Sequence, residues 1–349
     1  MIKYYTRACN FYFGSISRDK VKKKLSIALH GNDLISFDNI EIISRKNKKI
    51  LHIKEIKNIK DTLKKKILFD IKQISKKKKF KNLKFSNLPI LMGVLNLTPN
   101  SFSDGGKYIK KNLGVQHAKK LIKDGCDILD IGGEATNPGS KEVNEDVEWK
   151  RIFPTLFKIK SLKRFISLDT RKSSIMKKGI KNKINLVNDV SGLEYDSYTI
   201  KVLKDTNIPF VIHHMQGNPS NMQKNPRYNN VLLDIYDFFE KKIEYLRLKG
   251  IKHNNIILDP GIGFGKNLKH NITLLRNISI FHSLGFPVML GTSRKRFIKN
   301  LSGVNDSEER LGGTISSSLC AIMQGVQILR VHDINEINQS IKVFNYLKF

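Results

Sequence analysis

Cysteine is scarce in this sequence of 349 residues, and its three cysteines form no recognisable pattern. Cys9, Cys126 and Cys320 lie far apart along the chain, so no pair has the spacing of a zinc site. Free cysteines of this kind are typical of a reducing compartment. We therefore expect reduced thiols in a cytoplasmic protein.

Long apolar runs are also missing. No run reaches the roughly 18 residues that a transmembrane helix needs, and the first residues, MIKYYTRACN, lack the apolar core of a signal peptide. Apolar residues still make up 40% of the chain, and the mean hydropathy of −0.32 is ordinary for a globular protein. The sequence predicts one large domain, or a large and a small one, without a membrane association.

Acidic residues are few: 31 Asp and Glu stand against 63 Lys and Arg, which gives a net charge of +32. The excess is uneven, because residues 1–88 carry 24 basic and 7 acidic residues. A strongly basic chain can bind nucleic acid or an anionic membrane surface. Lysine far outnumbers arginine along the whole chain, however, which indicates a drift in composition. We therefore interpret the charge as a solvated lysine-rich surface and expect no nucleic-acid partner.

Eight short apolar runs appear from residue 89 onward, separated by longer amphipathic segments. The runs are ILMGVLN (90–96), DILDIGG (127–133), FISLDT (165–170), INLVNDV (184–190), PFVIHHM (209–215), NIILDPG (255–261), PVMLGTS (287–293) and QILRVHD (327–333). Eight β–α units in about 260 residues match a (β/α)₈ (TIM) barrel, so the predicted fold class is α/β. A doubly wound open sheet is the alternative, although it usually has fewer strands.

Residues 1–88 interrupt this rhythm and predict a small lysine-rich N-terminal extension of uncertain fold, with the barrel spanning 89–349. Its first part reads as short strands and turns. Residues 57–84 contain blocks of three and four lysines and fit either a helix or a linker.

Polar residues follow nearly every predicted strand. In (β/α)₈ barrels the active site forms at the carboxyl ends of the strands. These positions hold Asn96, Glu134–Ser140, Asp169, Asn188, Asp189, His213, His214, Asp259, Ser293–Lys295, Arg330 and His332. We therefore expect one shared pocket, to which the polar loop within MGVLNLTPNSFSDGG (92–106) also contributes.

One set of these residues is rich in hydrogen-bond acceptors. Asp169, Asn188 and Asp259 end the third, fourth and sixth predicted strands. Near a barrel axis they are partly desolvated and need partners, which a flat heterocycle with several N–H donors would supply. A strand-end aspartate can instead cap the next helix, and DTRKSS after Leu168 looks like a helix start.

A second set is cationic and follows the last two strands, where barrels often bind phosphate. Its members are Ser293, Arg294, Lys295, Arg330 and His332. Ion pairs at the surface are the alternative. The nearby GIGFGK is neither a P-loop nor a dinucleotide fingerprint, but its glycines, including Gly263, permit close approach of a ring or a phosphate. A heterocycle and a phosphorylated group are thus predicted to meet in one pocket.

Eight motifs occur in the order found in the dihydropteroate synthase family. They are MGVLNLTPNSFSDGG, DIGGEATNPGS, SLDTRK, NDVSGL, HHMQGNP, LDPGIGFGKN, GTSRKRFI and ILRVHD. From residue 89 to near the C-terminus, about three quarters of the chain, the sequence closely resembles that pterin-binding family of folate biosynthesis.

The resemblance implies a transferase that joins 6-hydroxymethyl-7,8-dihydropterin diphosphate to 4-aminobenzoate, with Mg²⁺ as cofactor and a homodimer as the assembly. The residues that would hold the pterin are Asp169, Asn188, Met215, Asp259, Phe264 and Lys295. Those that would bind diphosphate are Asn96, Arg294, Arg330 and His332, with Mg²⁺ bridging Asn96 and the phosphate oxygens. Thr136 and Ser293 would lie near 4-aminobenzoate. The implied catalytic residues are Asp169, Asp259, Lys295, Arg330 and His332.

Two further expectations follow from the resemblance. The loops 97–107 and 134–142 would close over the site and exclude water. Every assigned residue lies beyond residue 88, so catalysis is expected to survive deletion of residues 1–85.

One motif departs from the family pattern. The second loop of the family usually reads G-G-E-S-T-R-P-G, whereas this chain has GGEATNPGS, with Asn137 in place of the arginine. We expect a weaker hold on the diphosphate, unless Lys141 supplies the missing charge.

Two other functions remain open from the sequence. A methyltetrahydrofolate-dependent methyltransferase domain would keep the acidic residues without needing Arg330 and His332. An inactive homologue could use its basic extension to bind RNA or an acidic partner.

Overall fold

The structure is a computed structural model that describes residues 2–77, 80, 83, 85, 88–98, 112–136 and 139–347. Most of the predicted closing loop 97–107, and Asn137 in the second loop, lie outside the described residues. Among the helices of the described ranges, none has both the length and the apolar character needed to cross a membrane.

The N-terminal residues form an antiparallel sheet with two α-helices. The elements are β1 (Tyr5–Phe13), α1 (Gly14–Lys22), β2 (Ile27–Leu29), β3 (Asn32–Ile43), β4 (Lys48–His52), a 3₁₀ helix (Ile53–Asn58) and α2 (Asp61–Ser75). The long strand β3 pairs with β1, β2 and β4. The short strands expected here are present, and the segment 57–84, which fitted a helix or a linker, contains the whole of α2. The domain boundary at residue 88 stays a prediction.

Eight parallel strands then form the predicted barrel. They are β5 (Ile90–Asn96), β6 (Ile128–Gly132), β7 (Phe165–Asp169), β8 (Leu186–Asp189), β9 (Phe210–His213), β10 (Ile256–Asp259), β11 (Met289–Leu290) and β12 (Ile328–Val331). They pair in the order β10-β9-β8-β7-β6-β5-β12-β11, and a parallel bridge from Leu258 to Val288 brings β10 beside β11. The (β/α)₈ prediction is confirmed, and each strand lies within the apolar run that predicted it.

Helices alternate with these strands and cover the barrel. They are α3 (Leu113–Lys123), α4 (Glu145–Ile159), α5 (Ser173–Lys181), α6 (Thr199–Thr206), α7 (Val231–Leu248), α8 (Leu268–Arg276), α9 (Arg296–Ser302), α10 (Leu311–Ile322) and α11 (Ile334–Leu347), with 3₁₀ helices Lys160–Leu162 and Ile278–Leu284. Local sequence sets some of the starts: the Asn144 side chain accepts a hydrogen bond from Asp146 N at 2.8 Å, and Asn230 accepts from Leu233 N at 3.2 Å. Such caps satisfy backbone donors that a helix start leaves unpaired.

The barrel interior consists of an apolar layer with a polar layer above it. The apolar cluster is made of Ile90, Met92, Ile128, Leu186, Val211, Ile257, Met289 and Ile328. Side chains alternate across a strand, so the residue two positions later points into the same interior. In five strands that residue is polar: Asp130, Asn188, His213, Asp259 and Arg330. The polar layer therefore lies at the carboxyl end of the barrel, where the sequence predicted the site.

The N-terminal sheet packs tightly against one side of the barrel. Tyr5 is 1% exposed, belongs to the core formed by the barrel helices, and meets Tyr236 of α7 edge-on with 5.1 Å between ring centres. Its hydroxyl donates to Asp237 at 2.9 Å. Ser279 Oγ, in the 3₁₀ helix after α8, donates to the Ala8 carbonyl at 2.8 Å. The extension thus shares a core with the barrel.

Candidate active site

Arg330 is the centre of a buried charged group inside the barrel. Its Nε donates to Asp130 Oδ2 at 2.6 Å, and its Nη2 donates to Asp169 Oδ2 at 2.8 Å. The Asn188 amide donates to the same Asp130 oxygen at 3.1 Å. The structure thus brings together three residues that were predicted for the site. A fourth member of the group was not predicted from the sequence.

That fourth residue is Asp130, which is fully buried on β6. Its second oxygen, Oδ1, has no hydrogen-bond partner among the described residues. A signal for it existed in the sequence, because a carboxylate inside the apolar run DILDIGG needs a partner. Counting two positions on from Ile128, whose side chain lies in the interior cluster, would have placed Asp130 in the pocket.

Two acidic side chains of this group compete for one guanidinium. Burial and the neighbouring Asp130 raise the pKa of Asp169, while Arg330 acts against them. Burial also disfavours the charge on Arg330, but Asp130 and Asp169 more than offset it and raise the pKa of the guanidinium. Two carboxylates therefore share one cation at a site with little water. The pKa of Asp169 is raised to about 8, and a positive charge on a bound molecule would favour the ionised form of this carboxyl group.

Asp259 and Lys295 form a second part of the pocket. One oxygen of buried Asp259 accepts from Gly261 N at 2.8 Å. Lys295 Nζ donates to the Ile262 carbonyl and lies 4.3 Å from the centre of the Phe264 ring. Burial raises the pKa of Asp259, and Lys295 opposes this shift. Burial lowers the pKa of Lys295 to about 7, although Asp259 acts in the other direction.

The glycine-rich turn after β10 holds Phe264 through its backbone. Gly261 and Gly263 have φ angles of 68° and 82°, and a Cβ on Gly261 would lie 2.0 Å from the His214 carbonyl oxygen. The buried Lys266 Nζ donates to the Phe264 carbonyl at 2.8 Å and lies 3.0 Å from His214 Nδ1. The turn therefore requires glycine, and a buried lysine ties it to the end of β9.

His332 is held by Ser293 and is neutral in the structure. Ser293 Oγ and His332 Nδ1 are 2.9 Å apart, and the same hydroxyl accepts from His332 N at 3.2 Å. Burial and the nearby Arg330 lower the pKa of His332 to about 3. His332 was predicted from the sequence to be one of the cations, but its neutral ring offers a hydrogen bond instead of a charge.

Arg294 is committed to another partner. Its Nε and Nη2 donate to the two oxygens of Asp333 at 3.1 and 2.5 Å. Its backbone has a φ of 61° and is fixed by Thr314, whose hydroxyl accepts from Arg294 N at 3.0 Å. An anion would have to compete with Asp333, so the sequence-based assignment of Arg294 to diphosphate stays a prediction.

The remaining predicted residues lie around these groups. Thr136 is half-buried in the loop after β6, and Met215 is half-buried two residues after β9. Gly139, in the same loop as Thr136, donates its N–H to the Pro219 carbonyl at 2.9 Å, which joins the two loops. His213, which was noted only as a polar strand end, lies edge-on to Phe264 with 4.5 Å between ring centres.

Glu134 forms hydrogen bonds and ion pairs at the base of the loop 134–142. The Arg171 Nε donates to it at 3.0 Å, and Lys172 Nζ lies 3.2 Å away. Glu134 also accepts from Val143 N at 2.8 Å, so the carboxylate joins the two ends of the loop 134–142. Lys172 is shared with the fully buried Glu148 at 2.6 Å. We expect this network to set where the loop starts and ends.

The predicted Mg²⁺ ligand, Asn96, ends β5 beside Gly132. A Cβ on Gly132 would lie 3.5 Å from both Asn96 Oδ1 and Asp169 Cβ, so the glycine leaves room between them. In the described part of the chain, no three His, Cys, Asp or Glu side chains are grouped to hold a metal. Mg²⁺ typically takes most of its ligands from water and substrate phosphates. One amide oxygen fits an ion held in that way.

Comparison with known proteins gives the family. The family model described as "Pterin binding enzyme" matches residues 92–332. The dihydropteroate synthase of Escherichia coli strain K12 is 38% identical over 256 residues, covering 73% of this chain and 90% of that protein. The enzyme of Bacillus subtilis is 38% identical over 264 residues, covering 75% of this chain and 90% of that protein.

Solved structures agree with the sequence matches. The Yersinia pestis dihydropteroate synthase in a sulfonamide drug complex superposes with a TM-score of 0.73 at 36% identity, covering 78% of this chain and 98% of that one. The Xanthomonas albilineans dihydropteroate synthase in complex with 7,8-dihydropteroate superposes with a TM-score of 0.69 at 31% identity. The match covers 76% of this chain and 95% of that one. The chain therefore belongs to the pterin-binding enzymes and, among them, to the dihydropteroate synthase family.

Proposed function

We propose that the pocket joins 6-hydroxymethyl-7,8-dihydropterin diphosphate to 4-aminobenzoate, giving 7,8-dihydropteroate and diphosphate. The observation that carries this proposal is the group of Asp130, Asp169, Asn188 and Arg330, which shares one barrel end with Asp259. The group offers acceptors for a heterocycle, a cation for a phosphate, and two acidic side chains beside that cation. The Xanthomonas albilineans relatives were solved with 4-aminobenzoic acid and with 7,8-dihydropteroate, which supports the same substrates here.

The pterin would lie between Asp259 and Phe264. Gly261 uses one oxygen of Asp259, so the other is left for the N–H-rich edge of the ring. Lys295 would donate to a ring acceptor, and Asn188 would add a further hydrogen bond. Met215 and Gly263 would border the ring.

The diphosphate would lie near Asn96, Arg330 and His332. Arg330 supplies charge, and His332 supplies a hydrogen bond oriented by Ser293. Asn96 would hold Mg²⁺, which when bound would neutralise phosphate charge. The single amide ligand makes the ion dependent on the substrate. Arg294 would join this group only by releasing Asp333.

The reaction needs no protein nucleophile. Cleavage of the C–O bond sends the electron pair to the diphosphate and leaves positive charge on the pterin methylene carbon. The carboxylates of Asp130 and Asp169 favour that charge in a buried site. The amine of 4-aminobenzoate, near Thr136 and Ser293, then attacks the carbon and loses a proton.

Replacement of Asp259 with asparagine tests the pterin end of the proposal. An amide group can present a donor where the pterin needs an acceptor, and it removes the negative charge. We expect the affinity for 6-hydroxymethyl-7,8-dihydropterin to fall by about 2–3 kcal/mol, as for loss of a charged hydrogen bond. Calorimetry measures this affinity, with circular dichroism as the control for folding. Unchanged affinity in a folded variant would remove Asp259 from the site.

The pH dependence of catalysis tests Lys295. With a pKa of about 7, its ammonium is present below that pH and is lost above it. If the ammonium binds the pterin, kcat/KM falls as pH rises through about 7, because kcat/KM reports the free enzyme. In Lys295→Arg the cation persists at all these pH values, so the fall should disappear even if activity is lower. An identical profile in both proteins would assign the fall to the substrates.

Other features of the proposal rest on the sequence alone or on the resemblance. Mg²⁺ as cofactor, a homodimer, a cytoplasmic location and the absence of a nucleic-acid partner stay predictions. The relatives named above are synthases, so they give no support to the methyltransferase alternative. An inactive homologue is separated from an active enzyme only by an assay of turnover.

A further inference from the structure

Arg171 is a nearly buried cation at the carboxyl end of the barrel to which the proposed reaction gives no role. It lies two residues after Asp169, in the turn between β7 and α5, and its side chain is 10% exposed. Its Nε and Nη2 donate to the two oxygens of Glu134 at 3.0 and 3.1 Å. This paired geometry uses the planar face of the guanidinium and therefore fixes the orientation of the whole group.

The same guanidinium reaches the other end of the loop 134–142. Arg171 Nη2 lies 3.8 Å from Glu142 Oε2, which is within the range of an ion pair. The Glu134 side chain is 3% exposed, whereas that of Glu142 is 58% exposed. Exposed ion pairs contribute little because water and salt screen them. The loop is therefore held firmly at its start and more weakly at its end.

Tyr195 strengthens the weaker end from the segment between β8 and α6. The centre of its ring lies 4.0 Å from Arg171 Cζ, which is the geometry of a cation–π contact. Its hydroxyl donates a hydrogen bond to Glu142. Tyr195 therefore contacts both the guanidinium and the exposed carboxylate, so the three side chains form one group.

The backbone around Tyr195 is itself fixed to the barrel. Tyr195 N donates to Ser191 Oγ at 3.3 Å, and Ser191 Oγ donates to Asp189 of β8 at 2.6 Å. Asp196 accepts from the N–H of Ser173, the first residue of α5, at 2.8 Å. The segment that carries the tyrosine is thus tied to the end of β8 and to the turn after β7, which gives the loop a rigid support.

The loop supported in this way includes Thr136, two residues after Glu134. Thr136 is half-buried, and Gly139 of the same loop donates its N–H to the Pro219 carbonyl at 2.9 Å. A loop that is held in one position before the substrate arrives needs less ordering on binding. Groups on such a loop also meet the substrate in a defined geometry.

We propose that Arg171 and Tyr195 are positioning residues that hold the loop 134–142 in place for 4-aminobenzoate. The proposal rests on the proposed function, in which Thr136 lies near that substrate. Asn188 and Asp259, which would bind the pterin, belong to strands outside this loop. Loss of the support should therefore affect the second substrate and leave the pterin in its place.

Four variants separate the contacts of this group. Arg171→Met removes the contacts with Glu134, Glu142 and Tyr195 but keeps an extended side chain. Lys172 Nζ lies 3.2 Å from Glu134, so that buried carboxylate still has a cationic partner in the variant. Arg171→Lys keeps the charge without the planar group. Tyr195→Leu removes the ring and the hydroxyl, and Tyr195→Phe removes only the hydroxyl.

Tyr245→Leu is the matched control for Tyr195→Leu. Tyr245 is 44% exposed and Tyr195 is 39% exposed. Each ring has a cation beside it, which for Tyr245 is Lys249 at 5.4 Å. Tyr245 lies near the end of α7, which leads back to the amino end of the barrel, away from the loop.

We expect Arg171→Met to raise the KM for 4-aminobenzoate by about tenfold, the lower end of the effect of one charge-assisted hydrogen bond. This KM is measured at saturating 6-hydroxymethyl-7,8-dihydropterin diphosphate. The affinity for 6-hydroxymethyl-7,8-dihydropterin, measured by calorimetry, should not change. Arg171→Lys and both Tyr195 variants should raise the KM by smaller factors, with Tyr195→Leu above Tyr195→Phe, because each keeps part of the group. Tyr245→Leu should behave as the unmodified protein does.

Two results would overturn the proposal. One is an unchanged KM for 4-aminobenzoate in folded Arg171→Met, or in both Tyr195 variants if Arg171→Met does not fold. The other is an equal loss for both substrates together with a lowered unfolding temperature, which would make the group a support of the fold alone. If the unmodified protein forms no 7,8-dihydropteroate, the proposed function fails instead, so the two failures are distinguishable.

Discussion

Arg330→Met is expected to lower kcat by about 10²- to 10³-fold, the usual effect of removing one group that stabilises transition-state charge. The variant loses the cation that faces the departing diphosphate. It also leaves Asp130 and Asp169 without their shared partner, so the pKa of Asp169 should rise further and the negative charge beside the methylene carbon would weaken. Arg330→Lys keeps the positive charge but loses the planar guanidinium group. Its kcat should therefore lie between that of the unmodified protein and that of Arg330→Met.

Steady-state kinetics and calorimetry together separate the two effects of Arg330. His332→Gln is the matched comparison, because His332 contacts Ser293 and no carboxylate of the group. It should lower turnover while leaving the affinity for 6-hydroxymethyl-7,8-dihydropterin, which has no diphosphate, unchanged. Arg330→Met should affect both quantities. If Arg330→Met is folded and turns over at the normal rate, the buried group is not the catalytic centre.

Deletion of residues 2–88 is expected to leave a barrel that does not fold stably. The sequence alone suggested that catalysis would survive a similar deletion, because no assigned residue lies in the extension. The structure argues for a different result, since Tyr5 and Ile43 are part of the core of the barrel helices. Phe80, Leu83, Phe85 and Leu88 pack against the interior cluster of the barrel.

The expected loss of stability follows from the number of apolar side chains that the deletion removes or exposes. Each large apolar side chain contributes about 1.5–3 kcal/mol when buried, and a whole domain is stable by only about 5–15 kcal/mol. Loss of several such contacts therefore removes most of the free energy of unfolding. A single substitution, Tyr5→Ala, tests the same contact. It should lower the free energy of unfolding, measured with denaturant, by about 3–5 kcal/mol. Tyr5→Phe loses only the hydrogen bond to Asp237 and should cost about 1 kcal/mol.

A truncated protein that is soluble, unfolds at the same temperature as the full chain and retains turnover would contradict this expectation. It would show that the extension folds as a separate unit. In that case Tyr5→Ala should also have little effect on the barrel. Agreement between the deletion and the point variant therefore tests whether one core joins the two parts.

The strands and the location of the pocket could be predicted from sequence because their signals are local. Strands covered on both faces read as continuous apolar runs, and the run ILMGVLN coincides with β5. Strand-end positions then place Asp169, Asn188, Asp259 and Arg330 at one end of the barrel without any knowledge of contacts. The family motifs then predicted which substrates those residues would bind.

Pairings between distant side chains could not be predicted in the same way. Arg330 and Asp130 are 200 residues apart, and nothing local shows that they share a hydrogen bond. The pairing of Arg294 with Asp333 likewise depends on how β11 and β12 bring their loops together. Such pairs are set by barrel closure, which the sequence pattern implies but does not measure.

The N-terminal extension was hardest to predict for a related reason. Its lysines are compatible with a helix or a linker, and only burial of one face decides between them. In α2 that face contains Ile67, Ile71 and Ile74. The packing that selects the helix comes from the N-terminal sheet and from the 3₁₀ helix Ile278–Leu284 of the barrel, so it is not visible in the segment itself.

The most direct test of the central claim is a quantitative assay of both products. The purified full-length protein would be incubated with 6-hydroxymethyl-7,8-dihydropterin diphosphate, 4-aminobenzoate and Mg²⁺, and 7,8-dihydropteroate and diphosphate would be measured in the same samples. We expect equal amounts of the two products over many turnovers, and no dihydropteroate when 4-aminobenzoate is omitted. Diphosphate released without dihydropteroate, or no turnover by a folded protein that binds the pterin, would contradict it.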